Sequence, residues 1–126
     1  MKKLDTKKMM ESDVKFRDIE ITIKEVKGYC PTYKVGDKIY LNEGFRLNLS
    51  KTTALCIPGL ASIMPWLVAM ANSISPIDVG LNKKNGDSKT GYVQCADPGS
   101  KYTDGGTVIF EVKILDSISS DSRIQR

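Results

Sequence analysis

Three cysteines carry most of the chemistry open to this chain. Cys30, Cys56 and Cys95 each precede a proline within three residues, as Cys30-Pro31, Cys56-Ile57-Pro58 and Cys95-Ala96-Asp97-Pro98. Proline fixes φ and removes a backbone donor, so it stiffens the turn that presents a thiol. Iron–sulfur ligand runs use Cys-Pro in a related way. The 126 residues include no histidine, which excludes a Ser-His-Asp or Cys-His relay, a His-ligated metal and an imidazole pH switch within one chain. Three thiolates would leave one coordination position for Asp97, water, a partner's group or a substrate, a pattern suited to zinc or to an iron–sulfur cluster with one unique iron. The spacing lacks a Cys-x-x-Cys pair, however, and free cysteine is among the most buried residue types. Structural cysteines that fill a core are therefore the competing reading. A third is a reactive Cys56, because a helix N-terminus favours a thiolate or a bound anion. No catalytic residue is assigned.

The elements that must position these thiols follow from periodicity. Ile19, Ile21 and Ile23 alternate with Glu20, Thr22 and Lys24, the pattern of a strand with one wet face. Val26 falls out of phase, which predicts a bulge near Lys24-Glu25 or the end of the strand. Gly28 to Pro31 breaks the strand and carries Cys30. Val35-Gly36-Asp37 feeds a short strand over Lys38 to Leu41, and Phe45, Leu47 and Leu49 form another alternating stretch. Tyr92 to Cys95 reads as a short strand. Val108, Phe110, Val112 and Ile114 mark the clearest one.

Between them, Thr52 to Ile77 runs without a charge. Leu60, Ile63, Met64, Leu67, Val68 and Ala71 recur at helical spacing. Trp66 and Met70 widen that face, so cover on more than one side is expected. Pro65 predicts a kink, or two short helices meeting at Met64-Pro65. Pro58, Pro65 and the polar Ser62, Asn72 and Ser73 count against a membrane span. The order β-β-(β)-α-β-β predicts one α+β domain over residues 18–115, a curled, mostly antiparallel sheet covered by a single proline-interrupted helical segment. Residues 1–17 are expected to form a flexible basic arm and 116–126 a flexible tail.

Gly28-Tyr29-Cys30-Pro31 with Tyr33-Lys34-Val35-Gly36-Asp37, Ala54-Leu55-Cys56 with Leu60 and Pro65-Trp66, and Val93 to Pro98 followed by Gly106 to Glu111 resemble a family of small bacterial and archaeal proteins with no established activity. The resemblance covers residues 19–114 and implies a thiol at each of the three cysteine positions, which adds weight to a shared thiolate site. The polar loop 82–91 and the basic arm exceed the family's usual pattern.

The net charge of +4 comes largely from the arm, where six Lys and Arg stand against three Asp and Glu. Nucleic-acid binding, which needs a basic stripe on the folded surface, is therefore not expected. The N-terminus lacks an apolar run of signal-peptide type and the cysteine number is odd, so a cytoplasmic protein is expected. The 57–72 helical face is a candidate surface for self-association. The expected function is a small thiolate protein binding a metal or an iron–sulfur cluster, with Cys30, Cys56, Cys95 and Asp97 as ligands, or alternatively a non-catalytic binding or assembly module.

Overall fold

Alternation of isoleucines with polar residues gives the first strand one apolar face, and the rest of the fold is built on it. The computed structural model describes residues 16–116. Strands β1 (Ile19–Lys27), β2 (Lys38–Asn42) and β3 (Arg46–Leu47) precede helix α1 (Ile57–Ala71), and β4 (Thr90–Gln94) and β5 (Thr107–Ile114) follow it. The five strands form one antiparallel sheet in the order β3-β2-β1-β5-β4. The α+β class and the element order agree with the sequence pattern. Residues 1–15 of the expected arm and 117–126 of the tail lie outside the described residues. Phe16 and Arg17 belong to the folded body: the Phe16 ring meets Phe45 edge-on at 4.7 Å, and the Arg17 N–H donates to the Ala71 carbonyl at 2.7 Å.

The central pair joins β1 to β5, so that Ile19 stands opposite Ile114, Ile21 opposite Val112 and Ile23 opposite Phe110. All six are buried. The register shifts between Ile23 and Glu25, after which Val26 pairs with Val108. This is the bulge that the phase of Val26 predicts: one extra residue returns Val26 to the core side. Ile39 and Leu41 of β2 and Val93 of β4 extend the same face, against which Ile63, Leu67 and Met70 of α1 pack. The opposite face is polar and carries Lys24–Glu111 and Lys38–Glu20 ion pairs at 3.5 and 3.0 Å. Exposed pairs of this kind add little stability.

Three sequence expectations are modified. First, α1 runs as one helix with Pro65 inside it rather than as two short helices. Pro65 and Ala61 both lie on the exposed side, where water can meet the Ala61 carbonyl that loses its intrahelical partner. Second, the apolar residues at helical spacing do not all face the sheet. Ile63, Leu67 and Met70 are buried, but Met64 and Val68 are more than half exposed. Third, the Phe45-Leu47-Leu49 alternation yields only the two-residue β3 followed by a 3-10 turn at Leu49–Lys51. Asn48 accounts for the turn, since its side chain accepts from the Lys51 N–H at 3.2 Å and so competes with further strand pairing. No helix among the described residues is long and apolar enough to cross a membrane.

Candidate functional site

The three thiols come from three separate elements. Cys30 lies in the loop that leaves β1, Cys56 is the N-cap residue of α1, and Cys95 directly follows β4. All three are free, half-buried and packed against the hydrophobic core. Tyr33 joins the first two of them. Its ring is 3% exposed and stands edge-on to Phe110 with centroids 5.8 Å apart. The Tyr33 N–H donates to the Cys30 sulfur at 3.3 Å, and the Tyr33 hydroxyl accepts from the Cys56 N–H at 2.7 Å. One tyrosine thus ties the β1 loop to the start of the helix. The hydroxyl also satisfies one of the N-terminal donors that a helix cannot pair internally.

The other contacts are equally local. The Ala96 N–H donates to Ser62 Oγ of α1 at 2.8 Å, which holds the loop after β4 against the helix. A Cβ on Gly59 would lie 3.1 Å from Phe110 Cζ and 3.4 Å from Tyr33 Cε2, so the first turn of α1 meets these rings only because residue 59 has no side chain. A Cβ on Gly106 would fall 2.4 Å from the Tyr29 carbonyl oxygen. The chain entering β5 therefore passes directly beneath the Cys30 loop.

The electrostatics reflect this convergence. Burial pushes the Tyr33 phenol above its ordinary value. The Cys56 N–H pulls it back, and charge on Cys56, Cys30 or Cys95 pushes it further up. Burial likewise raises the Cys95 thiol, with additional contributions from Cys56, Asp97 and Cys30. Cys30 and Cys56 therefore act through space on both groups, and Cys95 acts on Tyr33. Asp97 acts on the Cys95 thiol from two residues further along the chain. Its Oδ1 accepts from the Gly99 N–H at 2.7 Å and from Thr107 Oγ1 at 3.1 Å. Its Oδ2 is buried without a hydrogen-bond partner, and it is the one such side-chain atom among the described residues. A buried carboxylate oxygen with no donor is costly and calls for a cation or a further donor.

The arrangement has a clear limit. Among the described residues, no group of three or more Cys, Asp or Glu side chains is placed to hold a metal ion directly. The four expected ligands form no coordination shell as they stand. No protein-family model, curated protein or solved structure matches this chain. Tyr33, Ser62 and Gly59 are the site residues that sequence reading misses. The one sequence signal for them is position, since Tyr33 lies three residues after Cys30 and Gly59 three after Cys56.

Proposed function

We propose that Cys30, Cys56 and Cys95 form a thiol centre that takes up a soft metal ion such as zinc, or an iron–sulfur cluster, with Asp97 as the non-sulfur ligand. The observation that carries this reading is the buried, unpartnered Asp97 Oδ2 beside a thiol on which the other two cysteines also act. Three soft thiolates and one carboxylate are a donor set of the right chemistry for these groups. Since the side chains do not enclose a metal position as they stand, binding would draw the Cys30 and Cys95 loops toward the start of α1. The Cys95 thiol must also lose its proton, so uptake should strengthen as pH rises.

One observation favours a second reading, a binding or assembly module with structural thiols: all three cysteines pack against the core. Purification of the full chain without oxygen, metal analysis and titration with cobalt(II) distinguish the two. The thiol-centre reading expects one cobalt per chain with sulfur-to-metal charge-transfer absorbance, lost in each single Cys→Ser variant and weakened in Asp97→Asn. Protein that takes up no cobalt and whose three thiols alkylate equally fast with and without it would overturn that reading. In that case Cys→Ala changes would lower stability alone.

A further inference from the structure

The thiols lie near one end of β1, α1, β4 and β5, and the other ends of the same elements meet around a second cavity. Arg17 precedes β1, Ser73 and Ser75 follow α1, Ser88 and Lys89 precede β4, and Asp116 follows β5. All of them line a cavity of about 290 Å³, at the small end of the range for ligand sites.

The lining is a set of donors. Arg17 Nη1 donates to the Asp116 carbonyl at 2.6 Å, and Lys89 Nζ is paired with the Asp116 carboxylate. Ser75 Oγ donates to the Ser88 carbonyl at 2.8 Å, while the hydroxyls of Ser73 and Ser88 have no partner among the described residues. Nearby acceptors are already taken. N–H groups occupy the last carbonyls of α1, with Asn72 on Val68, Ile74 on Ala69, Ser73 on Met70 and Arg17 on Ala71. The Asp87 carboxylate is held by Thr90 Oγ1 at 2.7 Å and by the Lys89 N–H at 3.2 Å.

Charge balance points the same way. Asp116 sets one negative charge against the two positive charges of the lining, and its side chain is 83% exposed, so it can leave them at little cost. A dianion would balance both cations, and the guanidinium fork with a lysine point charge suits phosphate oxygens. Ser73 adds an independent sign. Its φ of 66° lies in the left-handed region, which glycine or asparagine usually fills after a helix. A residue held in such a conformation is the kind of outlier that gathers at ligand sites.

We propose that this cavity binds a phosphoryl dianion, free or on a small molecule, with Arg17, Lys89, Ser73 and Ser88 as its donors and Asp116 as the internal acid it displaces. The test is an amide NMR titration of the full chain at about pH 8, where a phosphomonoester is dianionic. No metal is added, so the outcome does not depend on the thiol centre. Glycerol phosphate, inorganic phosphate and acetate are compared at equal ionic strength. Saturable shifts are expected at Ser73, Ser88 and Lys89 with the phosphates, and acetate should bind at least about tenfold more weakly. The tighter of the two phosphates shows whether the group arrives free or esterified. Lys89→Gln should weaken binding about tenfold, and Asp116→Asn should strengthen it several-fold. Ser73→Gly separates binding from folding: it relieves the backbone and should raise Tm, yet it removes a donor and should weaken binding. The proposal is overturned by an absence of saturable shifts, by acetate binding as tightly as the phosphates, or by native affinity in Asp116→Asn or Ser73→Gly.

Discussion

Replacing Tyr33 by Phe removes one oxygen and tests whether this residue organises the thiol region. The change keeps the ring, its edge-on contact with Phe110 and the Tyr33 N–H bond to the Cys30 sulfur. It deletes the acceptor for the Cys56 N–H, a 2.7 Å bond at the first turn of α1. An N–H left partly buried without an acceptor costs about 1–3 kcal/mol. The lower half of that range applies, because Cys56 is half-buried and water has some access to it. About 1–2 kcal/mol corresponds to a fall in Tm of about 5–10 °C for a folded body of this size. Urea unfolding followed by circular dichroism should show a lower midpoint at an unchanged slope, and amide exchange at Cys56 should accelerate. Tyr92→Phe serves as the control: its hydroxyl makes only a 3.3 Å contact with Glu111 on the exposed face, and its effect should stay within about 0.5 kcal/mol. If Tyr33→Phe matches the native protein in both midpoint and Cys56 exchange, the hydroxyl does not hold the helix start and the argument for Tyr33 as organiser fails.

Two further predictions follow from the titrating groups. The Cys95 thiol is held above its ordinary value of 9.0, first by burial and then by Cys56, Asp97 and Cys30; in the metal-free protein Asp97→Asn should move its pH-dependent alkylation profile to lower pH, and an unmoved profile would separate Asp97 from the thiol. Because the folded value is the higher one, Cys95 contributes stability that is whole below the ordinary thiol value and is lost as pH rises through the folded value. Tyr40 is pushed up to about 12 by burial, by the charge of Asp18 and by the hydrogen bond between them. Its share of stability is likewise whole below pH 10.0 and lost toward about 12, so Tyr40→Phe should remove a phenolate absorbance step near pH 12, and persistence of that step would refute the assignment.

The strands were legible where one face is wet. Alternation in Ile19–Ile23 and Val108–Ile114 marks both central strands, and a single out-of-phase residue, Val26, locates the bulge, because a two-residue period makes any slip visible. The helix was legible in extent but not in orientation. Its uncharged surface gives no polar stripe to show which side faces out, so Met64 and Val68 could not be distinguished from Ile63 and Leu67. The start of β4 at Thr90-Gly91 was hidden for another reason: Gly91 packs against Pro76 and Leu81, a tertiary fit that local pattern does not encode. At the site, the cysteines and Asp97 could be picked out by chemical type. Tyr33 could not, since its role depends on two hydrogen bonds to residues from different elements.

The pairing of β1 with β5 also bears on how the protein is made. These strands lie near opposite ends of the folded body, and the core closes on the contacts between them. On a growing chain β1 leaves the ribosome well before its principal partner, since Ile23 pairs with Phe110. Until then the isoleucines of β1 have no stable sheet to join, and the loops bearing Cys30, Cys56 and Cys95 have no common frame. Long-range pairing of this kind is slow and leaves apolar surface open to aggregation. The thiols therefore pass through a period of full exposure before the fold shelters them, and the redox state of the surroundings during synthesis decides whether they reach the finished protein as free thiols.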